Sequence, residues 1–384
     1  MGRPPFSLLI KPASADCNLC CEYCFYLEKS LLYPDEARHR MSDAVLDRVI
    51  STYMATAQPV YSFGWQGGEP TLMGAGFFQR VVELQMAHGT KGAVVANGLQ
   101  TNALSIDDEM ARHFARYKFL LGVSLDGLED MHDVYRRTAG GGPSHARVLA
   151  RAALLRRNDV DFNILATVHA KNVARPVELY RYLVDSGFLF HQYIPIVEFD
   201  PNGEPLAFTI SGRQWGEFLC AIFDEWIKAD VTRVSIRDFD AILAFLVDGN
   251  RQICTMSDNC CQYLLVEYNG DVYPCDFFVR SDTRLGNIME TGWEELLDSP
   301  VYRSFGDRKG LMHPGCRECE FHDLCMGDCQ KQRYYGGEDP GRQSWLCEGW
   351  KMFYAHSLSR FRRLGRAVLR ERSRQLRQAA NSPG

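Results

Sequence analysis

No stretch of these 384 residues approaches the roughly 18 consecutive apolar residues that a membrane-spanning helix needs. The start, MGRPPFSLLIKPASAD, lacks a basic stretch followed by an apolar run and a small-residue cleavage site, so it carries no mark of export. Secretion and membrane association are set aside, and a cytoplasmic location is the expectation. Excess positive charge is missing as well: a net charge of -5 argues against a nucleic-acid partner. The glycine run TAGGGPSH lacks the Lys and Ser/Thr of a phosphate-binding loop and reads as a flexible turn. Internal repeats and low-complexity tracts are absent. Cysteine is what the chain has in quantity. Without an export signal, its fourteen cysteines point to metal or redox chemistry in a reducing compartment rather than to disulfides.

With 46% hydrophobic residues, the chain has enough apolar surface for one large core or two moderate ones. From residue 7 to about residue 230, β-prone runs (SLLIKP, YSFGWQG, AVVANGLQTN, FLLGVSLDG, FNILATVHA, FHQYIPIV) alternate with segments whose apolar residues recur at i, i+3 and i+4. Ser42 and Ser105 stand where helix N-caps are expected. Six β/α units in order imply an α/β protein with a parallel sheet, either open or closed into a complete or partial barrel. Functional residues then belong at the carboxyl ends of strands. Residues 254–347 hold nine cysteines among Gly, Pro and Asp, and read as a metal-built module. The tail from Lys351 carries nine Lys/Arg against Glu371 alone, and predicts an amphipathic basic helix packed on the protein.

Within DCNLCCEYCFY, Cys17, Cys21 and Cys24 are spaced C-x3-C-x2-C. Three thiolates with no local fourth ligand suit a four-iron cluster with one iron left open, whereas a structural zinc takes four. Cys20 falls outside the spacing and is expected to point away. WQGGEP follows at the end of the second predicted strand, where Gly-Gly permits close backbone approach and Glu69 offers acceptors to an ammonium group.

These motifs together resemble the radical S-adenosylmethionine enzymes. The resemblance implies a partial (β/α)6 barrel. It also implies that the open iron chelates S-adenosylmethionine, which one electron cleaves to a 5'-deoxyadenosyl radical. The cysteines of the second half extend it: Cys254-x15-Gly270-x4-Cys275, then Cys316, Cys319, Cys325 and Cys329, then Cys347, resemble the SPASM extension with two auxiliary clusters. By resemblance, Cys254, Cys260, Cys275 and Cys329 bind the first, and Cys316, Cys319, Cys325 and Cys347 the second, making three 4Fe-4S clusters in all. Family spacing favours Cys260 over its neighbour Cys261. Two zinc ribbons are the structural alternative, and Cys220 reads as an ordinary core residue.

SLLIKPAS, WQGGEPTLMG, QTN, SLDG, MHDVYR, VSIRDFD and VYPCDFFV are together similar to the anaerobic sulfatase-maturating enzymes, from about residue 6 to residue 350. That family oxidises a Cys or Ser of a sulfatase to Cα-formylglycine. By position, Tyr23, Gly68, Ser124, Arg136 and Val197 resemble its S-adenosylmethionine contacts, and Asp276 its catalytic base. The implied partners are an unfolded or nascent sulfatase polypeptide and an electron donor such as flavodoxin or ferredoxin. The implied division is a barrel over 1–240, a SPASM domain over 241–350 and a basic tail over 351–384. The rival expectation is another SPASM enzyme that crosslinks peptides, although residues 1–16 leave no room for the leader-binding domain such enzymes often carry. Arg237, in SIRDFD, is a candidate for orienting the substrate backbone.

Overall fold

The computed structural model describes residues 4–335 and 337–380, so the last four residues of the predicted tail lie outside it. Among the described residues the strands are β1 (Ser7–Lys11), β2 (Leu19–Cys21), β3 (Tyr61–Trp65), β4 (Val95–Thr101), β5 (Leu120–Ser124), β6 (Arg136–Thr138), β7 (Phe162–Val168), β8 (Phe190–Pro195), β9 (Ser235–Ile236), β10 (Tyr263–Glu267), β11 (Asp271–Tyr273) and β12 (Gly286–Asn287). All six predicted β-runs form strands. The chain divides into two compact units, one of residues 4–167 and 259–308, the other of 168–258 and 309–380.

In the first unit the sheet runs β12-β11-β10-β1-β3-β4-β5-β7. β1, β3, β4, β5 and β7 are mutually parallel, and the helices Asp43–Met54, Ala75–His88, Asp108–Arg116 and His145–Arg157 supply crossovers. The α/β expectation with a parallel core is borne out. Alternation in β1 buries Leu8 and Ile10, and β3 adds Phe63 and Trp65, which pack with Phe78 beneath the sheet. Ser42 caps the first helix by accepting from the Val45 N–H at 3.3 Å. Ser105, by contrast, is not a cap. Asp107 caps the helix from 108, and the Ser105 hydroxyl accepts from Asn18 Nδ2 at 3.0 Å, tying the cysteine loop to the turn after β4. β10 lies parallel to β1, with Ser7 opposite Tyr263 and Lys11 opposite Glu267, and turns back through β11.

The second unit contains the parallel pair β8 and β9 and the helices Pro176–Asp185, Gly212–Ala229, Arg237–Asp248 and Cys347–Ala380. The last of these begins four residues before the predicted basic tail, at Cys347. It settles on the 212–229 helix through glycine: a Cβ on Gly349 would stand 2.1 Å from the Gly212 carbonyl, and one on Gly216 would stand 2.8 Å from Gly349 Cα. Phe223, Trp226, Phe239, Phe353 and Phe361 fill the space beyond this close approach. Burial on the long helix ends near Gly365, and residues 366–378 are exposed on every face. The predicted packed helix therefore holds for its first half only: beyond Gly365 its apolar residues Val368, Leu369 and Leu376 are exposed among the arginines.

Candidate active site

The cysteine loop begins where β2 pairs antiparallel with β6, Cys20 opposite Arg137 and Cys21 opposite Arg136. Strand alternation sends Leu19 and Cys21 inward and leaves Cys20 exposed, the arrangement expected of a thiol outside the motif. The Leu19 N–H donates to Cys17 Sγ at 3.3 Å, with Asn102 Nδ2 at 3.7 Å from the same sulfur. Burial pushes the Cys17 thiol up to about 12, and the fields of Glu69, Cys21 and Cys24 add to it. Burial likewise pushes Cys21 up to about 11, with Arg136 opposing. Buried thiols raised in this way, as Cys17 and Cys21 are, take the thiolate form readily only when a cation joins them, and this fits iron ligation. No group of three or more His, Cys, Asp or Glu among the described residues could hold a single metal ion. A four-iron cluster does not require one, because each thiolate there meets its own iron.

Beside the loop, the turn after β3 is pressed onto the backbone. Gly68 donates to the Ser14 carbonyl at 2.7 Å, and a Cβ there would lie 2.1 Å from the Asp16 carbonyl oxygen. Glu69 is fully buried. Its carboxylate accepts from Thr71 N (3.0 Å), Thr71 Oγ1 (2.6 Å), Thr101 Oγ1 (2.7 Å) and Asn102 N (2.7 Å). Three of these bonds fall on Oε1 and one on Oε2, so Glu69 joins the ends of β3 and β4 while Oε2 keeps an acceptor position for the ammonium group expected there.

At the ends of β5 and β7 a polar network surrounds Asp126, whose exposure is 0%. Its Oδ2 receives the Tyr23 hydroxyl and Arg136 Nε (2.8 Å), and its Oδ1 receives the Thr167 N–H (2.8 Å). Arg136 Nη2 also donates to Thr167 Oγ1 at 3.1 Å, and the guanidinium lies 5.4 Å from the Tyr23 ring centroid. Ser124 ends β5 beside this network and is buried. Tyr23, Gly68, Ser124 and Arg136 all belong to the first unit. Val197 belongs to the second, where its carbonyl accepts from Lys331 Nζ at 2.6 Å.

Asp276 follows Cys275 after β11 and is buried. The Tyr263 hydroxyl donates to its Oδ1 at 2.9 Å and stands 3.2 Å from Cys275 Sγ. Lys11, 1% exposed at the end of β1, bonds Gln66 Oε1 at 3.0 Å and sits 4.2 Å above the Tyr26 ring. Burial pulls its ammonium below the ordinary value, while the charges of Asp276 and Glu267 restrain the fall. The Tyr26 hydroxyl is held by Glu267.

All fourteen cysteines are free thiols. In the second unit Cys316, Cys319, Cys325 and Cys347 line one cavity, together with Phe321 and Tyr354. Four thiols around a single apolar-walled space are the donor set of a fully ligated cluster. Cys254 and Cys329 lie in the same unit, Cys260 and Cys275 in the first. Cys261 Sγ donates to the Tyr302 carbonyl at 3.4 Å and is wedged where a Cβ on Gly306 would meet it at 2.3 Å.

The radical SAM superfamily matches residues 12–183, and the SPASM iron-sulfur cluster-binding domain matches residues 246–320. A serine-type anaerobic sulfatase-maturating enzyme of Bacteroides thetaiotaomicron is 36% identical over 92% of this chain and 89% of its own. A cysteine-type counterpart of Clostridium perfringens is 35% identical over 93% of this chain and 97% of its own. The chain belongs to the anaerobic sulfatase-maturating enzymes. A solved structure described as native anSMEcpe with bound AdoMet and Cp18Cys peptide superposes with a TM-score of 0.88 at 34% identity, covering 95% of this chain and 100% of that one.

Seen as a sulfatase-maturating enzyme, the chain carries positioning groups that sequence reasoning passed over. Asp126, Lys11, Tyr263 and Glu267 are each a polar residue at the edge of an apolar strand or in the turn after it; Asp126 and Lys11 also lie inside the SLDG and SLLIKPAS motifs, whereas for Tyr263 and Glu267 that placement is the signal. The candidate Arg237 opens the 237–248 helix with an exposed side chain. His88 bonds Asp47 and His313 accepts from the Gly315 N–H, so both act locally.

Proposed function

We propose that this enzyme oxidises a Cys or Ser side chain of a sulfatase polypeptide to Cα-formylglycine. The observation that carries the reading is the kinship, across more than nine-tenths of the chain, with both serine-type and cysteine-type maturases. Cys17, Cys21 and Cys24 hold the cluster that binds S-adenosylmethionine, and the eight further cysteines named by resemblance hold two auxiliary clusters. When bound, these groups supply the one-electron chemistry that takes a hydrogen atom from the substrate β-carbon and accepts the second electron.

The chain's own residues supply position and the proton acceptor. Arg136, fixed by Asp126 and Thr167, presents a rigid guanidinium whose charge and planar donors suit the ribose or carboxylate of S-adenosylmethionine. Tyr23, locked to the same carboxylate, offers a ring face for the adenine. Gly68 lets the backbone close on the cysteine loop without a side chain in the way. Asp276, with Oδ1 held by Tyr263, takes at its remaining carboxylate oxygen the proton released as the substrate radical becomes an aldehyde or thioaldehyde. Electrons come from a flavodoxin or ferredoxin, and the reaction belongs in a reducing cytoplasm, where such thiols stay free. Among the described residues no helix is long and apolar enough to cross a membrane.

Anaerobic incubation with a sulfatase-derived peptide, S-adenosylmethionine and a reductant tests the reading. Mass spectrometry should find the aldehyde in the Cys peptide, the Ser peptide or both. Cleavage of S-adenosylmethionine without aldehyde in either peptide would overturn it.

A further inference from the structure

Two positive charges are buried in the second unit with no carboxylate among their hydrogen-bond acceptors. Lys309 is 0% exposed, and its Nζ donates to the carbonyls of Cys254 (3.0 Å), Thr255 (2.9 Å) and Asp328 (3.1 Å). Arg333 is 1% exposed and spreads its guanidinium over the carbonyls of Gly327 (2.8 Å), Lys309 (2.9 Å), Pro340, Met326 and Asp328 (3.3 Å each). The carboxylate of Asp328 is turned instead to Ser344 Oγ at 2.6 Å.

The acceptors mark what the two cations serve. Met326, Gly327 and Asp328 form the link between Cys325 and Cys329, and all three carbonyls of that link end on Lys309 or Arg333. The link is wound through three successive left-handed residues, with φ of 46°, 72° and 61°. Two of the three are not glycine, so the conformation needs an outside hold. Gly327 permits it, since a Cβ there would stand 2.4 Å from Arg333 Nη2. Lys309 extends the same hold to the Cys254 carbonyl on another stretch of chain.

A buried charge without a partner is costly, and a cluster bound by four thiolates carries net negative charge. We propose that Lys309 and Arg333 are the counter-charges of the auxiliary clusters: positioning residues that raise the clusters' electron affinity and hold the cysteine link between them. This rests on the assignment of Cys254, Cys316, Cys319, Cys325, Cys329 and Cys347 to iron.

The test is an EPR-monitored redox titration of anaerobically purified, fully loaded enzyme, with iron counted in the same samples. Wild type should hold about twelve irons; a count matching the three-thiolate cluster alone would remove the ligand assignment and the proposal with it. Lys309→Gln and Arg333→Gln should make at least one auxiliary cluster harder to reduce by tenfold or more, a shift of about 59 mV for one electron, with the potential of the other cluster class unmoved. Lys309→Arg and Arg333→Lys should stay nearer wild type than the Gln variants. Unchanged auxiliary potentials at full iron content in the Gln variants would overturn the proposal. Should the Gln variants lose iron, retention of iron in the charge-keeping pair supports the proposal, and equal loss in both pairs overturns it.

Discussion

The Tyr263 hydroxyl donates to Asp276 Oδ1 at 2.9 Å, so one carboxylate oxygen of the proposed base is fixed and the other is left to receive a proton. Tyr263→Phe keeps the ring and removes the donor. A hydrogen bond to a charged group contributes about 1.5–3 kcal/mol, so formylglycine formation should fall roughly tenfold to a hundredfold. Formation of 5'-deoxyadenosine should be affected less. Quantifying both products from one anaerobic reaction decides it, and unaltered aldehyde yield would detach Tyr263 from the chemistry.

Asp276→Asn tests the base itself. The side chain keeps its shape and loses its proton affinity. General-base contributions are typically about 10² to 10⁴-fold, and aldehyde yield should drop by that order while cleavage of S-adenosylmethionine persists to a larger degree. Equal loss of both products would instead make Asp276 a binding residue.

Replacing Cys17, Cys21 and Cys24 together with Ala should abolish S-adenosylmethionine cleavage and leave the auxiliary clusters assembled. Iron analysis should then return about eight atoms per chain. Continued 5'-deoxyadenosine production would end the radical mechanism for this enzyme.

Asp126→Asn addresses the network around the cofactor contacts. Removing one partner of a buried ion pair typically costs about 3–5 kcal/mol, because Arg136 is left as an uncompensated charge. Denaturant unfolding should show that loss, and S-adenosylmethionine should bind more weakly, since both Tyr23 and Arg136 depend on this carboxylate. Wild-type stability would show that Arg136 finds another partner.

The parallel core was legible because six β/α units leave a strong periodic trace, and the runs from SLLIKP to FHQYIPIV all became strands. What escaped is what periodicity does not encode. The pairing of Tyr263–Glu267 with Ser7–Lys11 joins segments some 250 residues apart, and nothing local announces it. Ser105 was a plausible cap by residue type, but Asp107 stands one turn-entry later and took the role, freeing Ser105 for Asn18. Around the candidate site, cysteine spacing is legible because cluster chemistry restricts it tightly. Asp126 and Lys11 are single charges whose purpose appears only when other strands bring Arg136, Thr167 and Gln66 against them. Glu69 shows the opposite case: its motif marked the right place, while the partners of its carboxylate depended on the neighbouring strand.

The outer end of the Cys347–Ala380 helix has a practical consequence. From residue 366 to residue 380 it continues for about 22 Å at 1.5 Å per residue, and its described side chains there meet solvent on all sides. A spectroscopic label, affinity handle or surface linkage introduced there would lie at least 19 residues beyond Cys347, about 28 Å further along the same helix. Anaerobic immobilisation through that end would leave Cys347, at the start of the helix, untouched.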